Sequence, residues 1–467
     1  MTRPFVEGRG PSPSGRRCPS LPFGGVRLPR RRLWSRRIQV ARIAARHALC
    51  MVIGKTGIGR HVPFRQGRLD DEIRKEPCDR HQHLRMLFED LGATYIKIGQ
   101  ILSARADLLD ERYRSELAQL QDAAPLEQSW NALGEVERQL ARPAHAVFAE
   151  FGETPIAAAS IGQAYRAQLC DGTEVVVKVR RPGVVEHVET DLLILSQLAH
   201  HLDRYSRRAQ RIGLAALVDE FGSMLRRELN YTVEATNAAR FARNLADTAA
   251  VEVPKIYDQM STASVLTLDL VRGARVDDLD ALQAAGVSPQ DVAARVTDLY
   301  LNMVFNDGFF HADPHPGNLL VDDTGRIGLI DFGMVGELTP QLRQTLAGLL
   351  TAMVSNDIDG VVDHFIQLGI AAKRADRAAL TRDLESLMRR YVEQPLGTLK
   401  FGAMLQDHLN VARVHRLRLP PELALLTKTL VMCEGLAARL DPDFQMLTAF
   451  TVWLPKLAPA PDHPAPN

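Results

Sequence analysis

The chain's 467 residues, 46% apolar and 24% charged, are ordinary for a soluble globular protein and give room for about two to four structural units around a sizeable core. Five scattered cysteines (Cys18, Cys50, Cys78, Cys170, Cys433) without a Cys-x-x-Cys argue against a disulfide framework or a thiolate zinc site, and no apolar run approaches the ~18 residues that span a bilayer. The net charge of +1 hides an asymmetry: residues 1–68 carry sixteen Lys or Arg against one acid, Glu7, leaving 41 basic and 55 acidic residues, a net of −14, in the remainder. A basic arm on an acidic body suits an anionic partner, either a membrane surface or nucleic acid.

Residues 1–30 are rich in Pro, Gly and Arg, a composition that predicts disorder, and no uninterrupted apolar stretch there reads as a secretory signal. From Leu33, apolar Trp34, Ile38, Ala41, Ala45 and Leu49 recur at helical spacing among Arg36, Arg37, Arg42 and Arg46. Such a helix can lie on an anionic membrane or dock on its own domain with a solvated basic side. Gly54-Lys55-Thr56 is not a phosphate loop, because the position five before Gly54 is Leu49 and no strand precedes it. Residues 70–150 read as helical, with Phe88, Leu91, Tyr95, Ile98 and Leu102 on one apolar face. Lys97 and Gln100 lie on another face, with Gly99 between them allowing close backbone approach.

A β-rich unit begins near Phe151. Ile156–Gln163 is followed by Tyr165–Leu169, a Cys-Asp-Gly turn and the strand Glu174–Val179, which carries an inward Lys178. In a kinase small lobe the first of these turns is a Gly-rich loop over the nucleotide phosphates, and the strand lysine contacts the α- and β-phosphates. Here the loop is Ala-rich, with only Gly162, so the pocket is expected with altered nucleotide geometry. The segment Leu217–Phe241 has helical period and sets Glu228 and Glu234 inward, two acids for the two inward lysines, Lys97 and Lys178. Val265–Leu270 is an apolar strand whose end, Asp269-Leu270-Val271, fits a hinge with backbone groups for an adenine.

The stretch Gly308–Gly336 holds the chemistry. Asp313 lies in the loop Asp313-Pro314-His315-Pro316-Gly317, which no regular helix can occupy, and Asn318 follows. An apolar run (Leu319–Val321), an Asp-Asp-Thr-Gly turn, a second apolar run (Ile327–Ile330) and Asp331-Phe332-Gly333 complete it. This is the layout of a kinase catalytic loop leading into its metal-binding loop. Phosphoryl transfer needs a carboxylate near the attacking oxygen, which suits Asp313, and hard oxygen ligands for Mg²⁺, which suit Asn318 and Asp331. The other readings are a plain hairpin and a zinc site from His311, Asp313 and His315, which lacks a fourth ligand. Thr339-Pro340 starts a helix soon after Gly333, leaving no long activation segment to hold a peptide. The rest is helical to about Leu440, and the tail from Pro455 is Pro-rich and reads as loose.

Across roughly residues 70–445 the sequence resembles the UbiB/AarF (ADCK-type) family of atypical kinases. Lys97-Ile98-Gly99-Gln100 is similar to that family's KxGQ motif, Ala157-Ala158-Ala159-Ser160-Ile161-Gly162-Gln163 to its Ala-rich nucleotide loop, and His311–Asn318 to its catalytic loop. The resemblance implies an α+β, bilobal protein-kinase-like fold: a small β-rich N-lobe, a helical C-lobe and a helical N-terminal extension over the active site. It also implies ATP and Mg²⁺ as cofactors, weak or conditional phosphoryl transfer, and a link to isoprenoid quinone or other prenyl-lipid metabolism at a membrane. Carried onto this chain, Lys97 pairs with Glu228 and Lys178 with Glu234, and Lys97, Gln100 and Glu228 form a gate that restricts larger substrates. Two departures stand out. The family's ExD reads Glu228-Leu229-Asn230, and many bacterial members end in transmembrane helices, which this sequence lacks.

The expected organisation is a basic arm (1–67), a helical extension (68–150), an N-lobe (151–270), a C-lobe (271–455) and a loose tail (456–467). The expected protein is cytoplasmic, peripheral at the inner face of the membrane, with a prenyl-lipid or quinone-precursor ligand and no nucleic acid. A conventional protein kinase and a nucleotide-gated scaffold are the rival readings.

Overall fold

The computed structural model describes residues 30–56, 79–104, 109–120, 130–368, 376–392, 400–415, 417 and 420–457. The segment 1–30 expected to be disordered, apart from Arg30, and most of the Pro-rich tail lie outside these residues. Four helices precede the first sheet: α1 (Arg30–Thr56), α2 (Arg80–Leu91), α3 (Ala93–Ala104) and α4 (Glu111–Leu117). Helix α2 opens with a capping box between Asp79 and Gln82. Gly99 on α3 lets Leu120 and Phe88 pack against the backbone where a Cβ would collide with both side chains.

The small lobe begins earlier than position 151. Helix α5 (Ala132–Leu140) and strand β1 (Phe148–Phe151) belong to it, because β1 pairs with β3 and Ala132, Val136 and Phe148 share a core with Tyr165, Val175, Val177 and Val179. The Phe-Ala-Glu-Phe run of β1 is too short to announce itself in sequence and is a strand only because β3 offers an edge. Next come β2 (Ala157–Ala158), β3 (Gly162–Leu169) and β4 (Glu174–Arg180), then α6 (Val184–Tyr205), α7 (Arg207–Ile212), α8 (Leu214–Glu228), α9 (Tyr231–Asn244), β5 (Val251–Glu252) and β6 (Val265–Asp269). The sheet runs β1-β3-β4-β6, with β2 paired to β3. Strict alternation along β4 buries Val175, Val177 and Val179 against α5 and turns Val176, Lys178 and Arg180 to the other face.

In the large lobe, β7 (Ala274–Arg275), α10 (Leu279–Ala284), α11 (Pro289–Asn302), β8 (Phe309–His311), β9 (Leu319–Val321), β10 (Ile327–Leu329) and β11 (Val335–Glu337) precede α12 (Pro340–Val354). Thr339 caps α12 by accepting from the Leu342 amide, with Pro340 in its first turn, so the helix starts soon after Gly333. Helices α13 (Ile358–Leu368), α14 (Arg377–Val392), α15 (Phe401–Val414), α16 (Pro421–Leu440) and α17 (Met446–Leu457) follow. One continuous core joins Val292, Val296, Tyr300, Phe310, Phe332, Phe365, Phe401 and Phe450. Helix α17 runs to Leu457, past the point expected to begin a loose tail.

Helix α1 docks on the domain with its arginine face. Arg36 donates to both carboxylate oxygens of Asp191 on α6 (2.7 and 2.9 Å) and to the Leu91 carbonyl (2.6 Å), and His47 meets Asp90 at 2.8 Å. Asp191 is buried and needs that cation. The stripe expected to face a core or membrane stands outward, with Trp34 67% exposed. No helix among the described residues is long and apolar enough to cross a membrane.

Candidate active site

The cleft between the lobes collects the residues singled out by motif. Strand β4 delivers Lys178, whose Nζ lies 2.5 Å from Glu234 Oε1 on α9, 3.2 Å from Asp331 Oδ2 and 3.2 Å from the Ile330 carbonyl. Three elements far apart in sequence therefore meet at one ammonium. Burial alone would lower the Lys178 pKa, but Asp331 and Glu234 outweigh it and hold the amine charged, well above its ordinary value. Burial likewise opposes ionisation of Asp331, yet Lys178 and the Gly333 amide hold its carboxyl well below the usual carboxylate range. Burial pushes Glu234 up against the pull of Lys178, so the two ends of this pair lean in opposite senses. The charged pair is the form supported by geometry, because Glu234 Oε1 also accepts from the Phe332 amide (3.3 Å).

Below the cleft, the loop after β8 is a turn held by its own backbone: the His315 amide donates to the Asp313 carbonyl (2.7 Å) and the Asn318 amide to the His315 carbonyl (2.8 Å). Asn318 Nδ2 donates to Asp313 Oδ2 (3.0 Å) and to the Asp313 carbonyl (3.1 Å). That fixes the amide's orientation and turns its acceptor oxygen, Oδ1, away from Asp313. The Ile330 amide donates to the Asn318 carbonyl (3.2 Å), tying this loop to the strand that ends in Asp331. Asp331 Oδ1 accepts from the Gly333 amide at 2.9 Å.

His311 is a buried brace. Its Nε2 donates to the Asp331 carbonyl at 2.5 Å, and Nδ1 accepts from the Asp313 amide at 3.3 Å. One donor and one acceptor define a neutral imidazole, in line with a pKa lowered chiefly by burial. The zinc alternative on His311, Asp313 and His315 has no support, since among the described residues no three His, Cys, Asp or Glu side chains come together to hold a metal.

The gate residues separate. Lys97 Nζ lies 2.6 Å from Glu228 Oε1, joining α3 to α8, whereas Gln100 Nε2 donates to the Leu120 carbonyl (3.1 Å) and holds the extension together. The segment Leu217–Phe241 is two helices and not one. The break falls at Asn230, which caps α9 by accepting from the Thr232 amide (3.1 Å) and hydroxyl (2.8 Å). The amide that departs from ExD thus has a structural duty.

In the Ala-rich loop, Ala157 and Ala158 pair with β3, and the Ala159 amide donates to the Gly162 carbonyl (2.9 Å). Gly162 is required by close approach: a Cβ there would run into the Tyr231 hydroxyl and the Val179 carbonyl. Ile161 packs in the α6/α8 core and Gln163 is buried, accepting from the Tyr165 hydroxyl (2.7 Å). Gln163 is held inside the lobe and Ala157 is exposed, while Ala158–Ile161 between them are half-buried. At the hinge, Asp269 accepts from the Tyr257 hydroxyl (2.7 Å) and the Lys255 amide (3.3 Å), so its side chain serves the hinge itself. Val271 is buried and packs where Gly328 leaves room.

The donor set fits a magnesium nucleotide. Asn318 Oδ1 and the Asp331 carboxylate are hard oxygens, Lys178 is a fixed cation, and the buried Ser160 hydroxyl has no hydrogen-bond partner among the described residues. Residues not seen in sequence also take part. Asn237 on α9 donates to the Phe332 carbonyl (2.9 Å), and Thr429 on α16 donates to the Ala312 carbonyl (3.3 Å).

Residues 119–365 match the ABC1 atypical kinase-like domain and residues 384–445 the UbiB helical domain. The chain belongs to the ABC1/UbiB atypical kinase-like family. An uncharacterized protein of Synechocystis sp. is 37% identical over 79% of this chain and 65% of its own length. A probable protein kinase UbiB of Shewanella loihica is 35% identical over 78% of this chain and 67% of its own. This ABC1/UbiB chain therefore spans about two thirds of the length of such curated relatives. Among solved structures, the complex of Rv3197 with erythromycin from Mycobacterium tuberculosis shares the fold, with a TM-score of 0.55, 24% identity and coverage of 80% of this chain and 95% of that one. The kinase-like, two-lobed fold expected from the motifs is the fold of the family.

Proposed function

We propose that this chain binds Mg-ATP between its lobes and acts as a UbiB-type atypical kinase or ATPase linked to isoprenoid quinone or prenyl-lipid metabolism. The observation that carries the reading is the convergence of Lys178, Glu234 and Asp331 on one point beside the Asn318–Asp313 pair. When bound, Mg-ATP supplies the phosphoryl group and the charge that neutralises its oxygens. Lys178 holds the α- and β-phosphates, and Glu234 keeps that lysine in place. Asn318 and Asp331 hold the metal, while Asp313 takes the proton from the attacking oxygen. Lys97 and Glu228 close the entrance, and the short path from Gly333 to α12 gives a peptide substrate little to lie on.

The name of the Shewanella relative, a probable protein kinase UbiB, supports the kinase reading, and the quinone link rests on the family resemblance. A peripheral membrane contact is supported by the outward stripe of α1, where Trp34 and Ile38 stand exposed beside Arg42. The test is ATP turnover with and without anionic liposomes and a prenylated quinone precursor, with the products identified. ADP with free phosphate or a phosphorylated lipid supports the reading, and Asp313→Ala should lower that turnover by about 10²–10⁴-fold with nucleotide binding retained. Absence of ADP under every condition removes the enzyme reading.

A further inference from the structure

Lys428 lies on α16, one residue before the Thr429 that donates to the carbonyl of Ala312, the neighbour of Asp313. Helix α16 also packs against α3, which carries Lys97, and against β11, which follows Asp331-Phe332-Gly333. Lys428 is therefore brought to the Asp313 side of the cleft from the large lobe, opposite Lys178 on the small-lobe sheet. Lys428 is half-buried and lies within electrostatic reach of Asp313 and Lys97. Burial and Lys97 lower its pKa, and Asp313 opposes them.

The lysines of this cleft differ in one respect. Lys178 touches Glu234 and Asp331, and Lys97 touches Glu228. Lys428, half-buried, makes no ion pair or hydrogen bond with any described residue, and taking an ammonium partly out of water without a partner carries a cost. A cation on a helix that Thr429 ties to the loop of Asp313, within electrostatic reach of that carboxylate but not paired with it, is placed to meet an oxyanion.

We propose that Lys428 is a phosphate-binding residue that donates to the terminal phosphate of the bound nucleotide. The proposal rests on the Mg-nucleotide reading of the same site and adds a grip from the large lobe. Lys178 holds the inner phosphates from above, and Lys428 holds the outer one beside Asp313, where its charge also offsets the charge of the transferring group.

The test compares equilibrium binding of a non-hydrolysable ATP analogue and of ADP, both with Mg²⁺, to the unaltered chain, Lys428→Met and Lys428→Arg. Loss of one charge-assisted hydrogen bond predicts about a ten- to hundredfold weaker triphosphate affinity in Lys428→Met, with ADP affinity unchanged within about twofold. Lys428→Arg should restore part of the discrimination and serves if the methionine variant folds poorly. Equal weakening of both ligands assigns Lys428 a structural role and overturns the proposal. Unchanged affinity for both ligands also overturns it and leaves the nucleotide reading standing. Failure of the unaltered chain to bind either ligand removes that reading and the proposal with it.

Discussion

Two lysine–glutamate pairs flank the cleft, and their surroundings set them apart. Lys178–Glu234 joins a central strand to α9, has side chains 16% and 8% exposed, and is reinforced by Asp331 and the Phe332 amide. Lys97–Glu228 joins α3 of the N-terminal extension to the end of α8, with Glu228 28% exposed. The first pair is embedded in the small lobe at the cleft, and losing either partner strands a buried charge. The second spans α3 and α8, which are already held together by a shared apolar core (Ile98 with Phe221, Leu225 and Leu229), and water can replace either partner. A short Lys–Glu distance therefore does not define a role; burial of the carboxylate does.

The comparison is broken most severely at the buried pair. Lys178→Met leaves Glu234 buried and uncompensated and is expected to destabilise the protein by about 3–5 kcal/mol in denaturant unfolding and to abolish nucleotide binding. The double variant Lys178→Met/Glu234→Leu should recover much of that stability without recovering nucleotide binding, which separates the structural duty from the functional one. At the partly exposed pair, Lys97→Met is expected to cost about 1 kcal/mol or less and to leave nucleotide binding in place, while amide exchange in α3 quickens. A loss as large as that at Lys178 would erase the distinction.

Asn230 sharpens the comparison further, because it lies between the two glutamates. Asn230→Ala should cost about 1 kcal/mol through loss of the α9 cap, and Asn230→Asp should be near neutral in thermal unfolding, since both residues cap well.

The smallest effect lies away from both pairs. His408 on α15 is buried, its Nδ1 bonds the Met404 carbonyl at 2.7 Å, and Nε2 has no partner among the described residues. Burial holds its pKa below 6.5, so the unfolded chain binds the proton more readily. Its stabilising contribution is complete above about pH 6.5 and declines as pH falls below that value; His408→Phe should flatten the pH dependence of melting between pH 8 and 5.

What could be read from sequence follows from how locally each feature is encoded. The loop around Asp313 and the Asp331-Phe332-Gly333 turn were legible because Pro and Gly leave few conformations to a contiguous stretch. Lys178 was legible because strand alternation fixes which face each side chain takes. The break at Asn230 was not, since Leu225, Leu229 and Tyr231 are all buried and apolar, and the periodicity runs through the cap unbroken. Lys428 and Asn237 sit on helices whose patterns look like ordinary amphipathic surface, and only the tertiary fold brings them to the cleft. Which face of α1 would dock was not legible in sequence for the same reason: the buried Asp191 that draws Arg36 inward lies far along the chain.

The central claim is that a magnesium nucleotide is held by Lys178 from the small lobe and by Asn318 and Asp331 from the large one. Calorimetric titration of ATP into the unaltered chain and Asp331→Asn, each with Mg²⁺ and with chelator, tests it most directly. The account predicts saturable binding by the unaltered chain in the presence of Mg²⁺ alone, and none by the variant. Equal binding by both proteins, or binding indifferent to the metal, would contradict it.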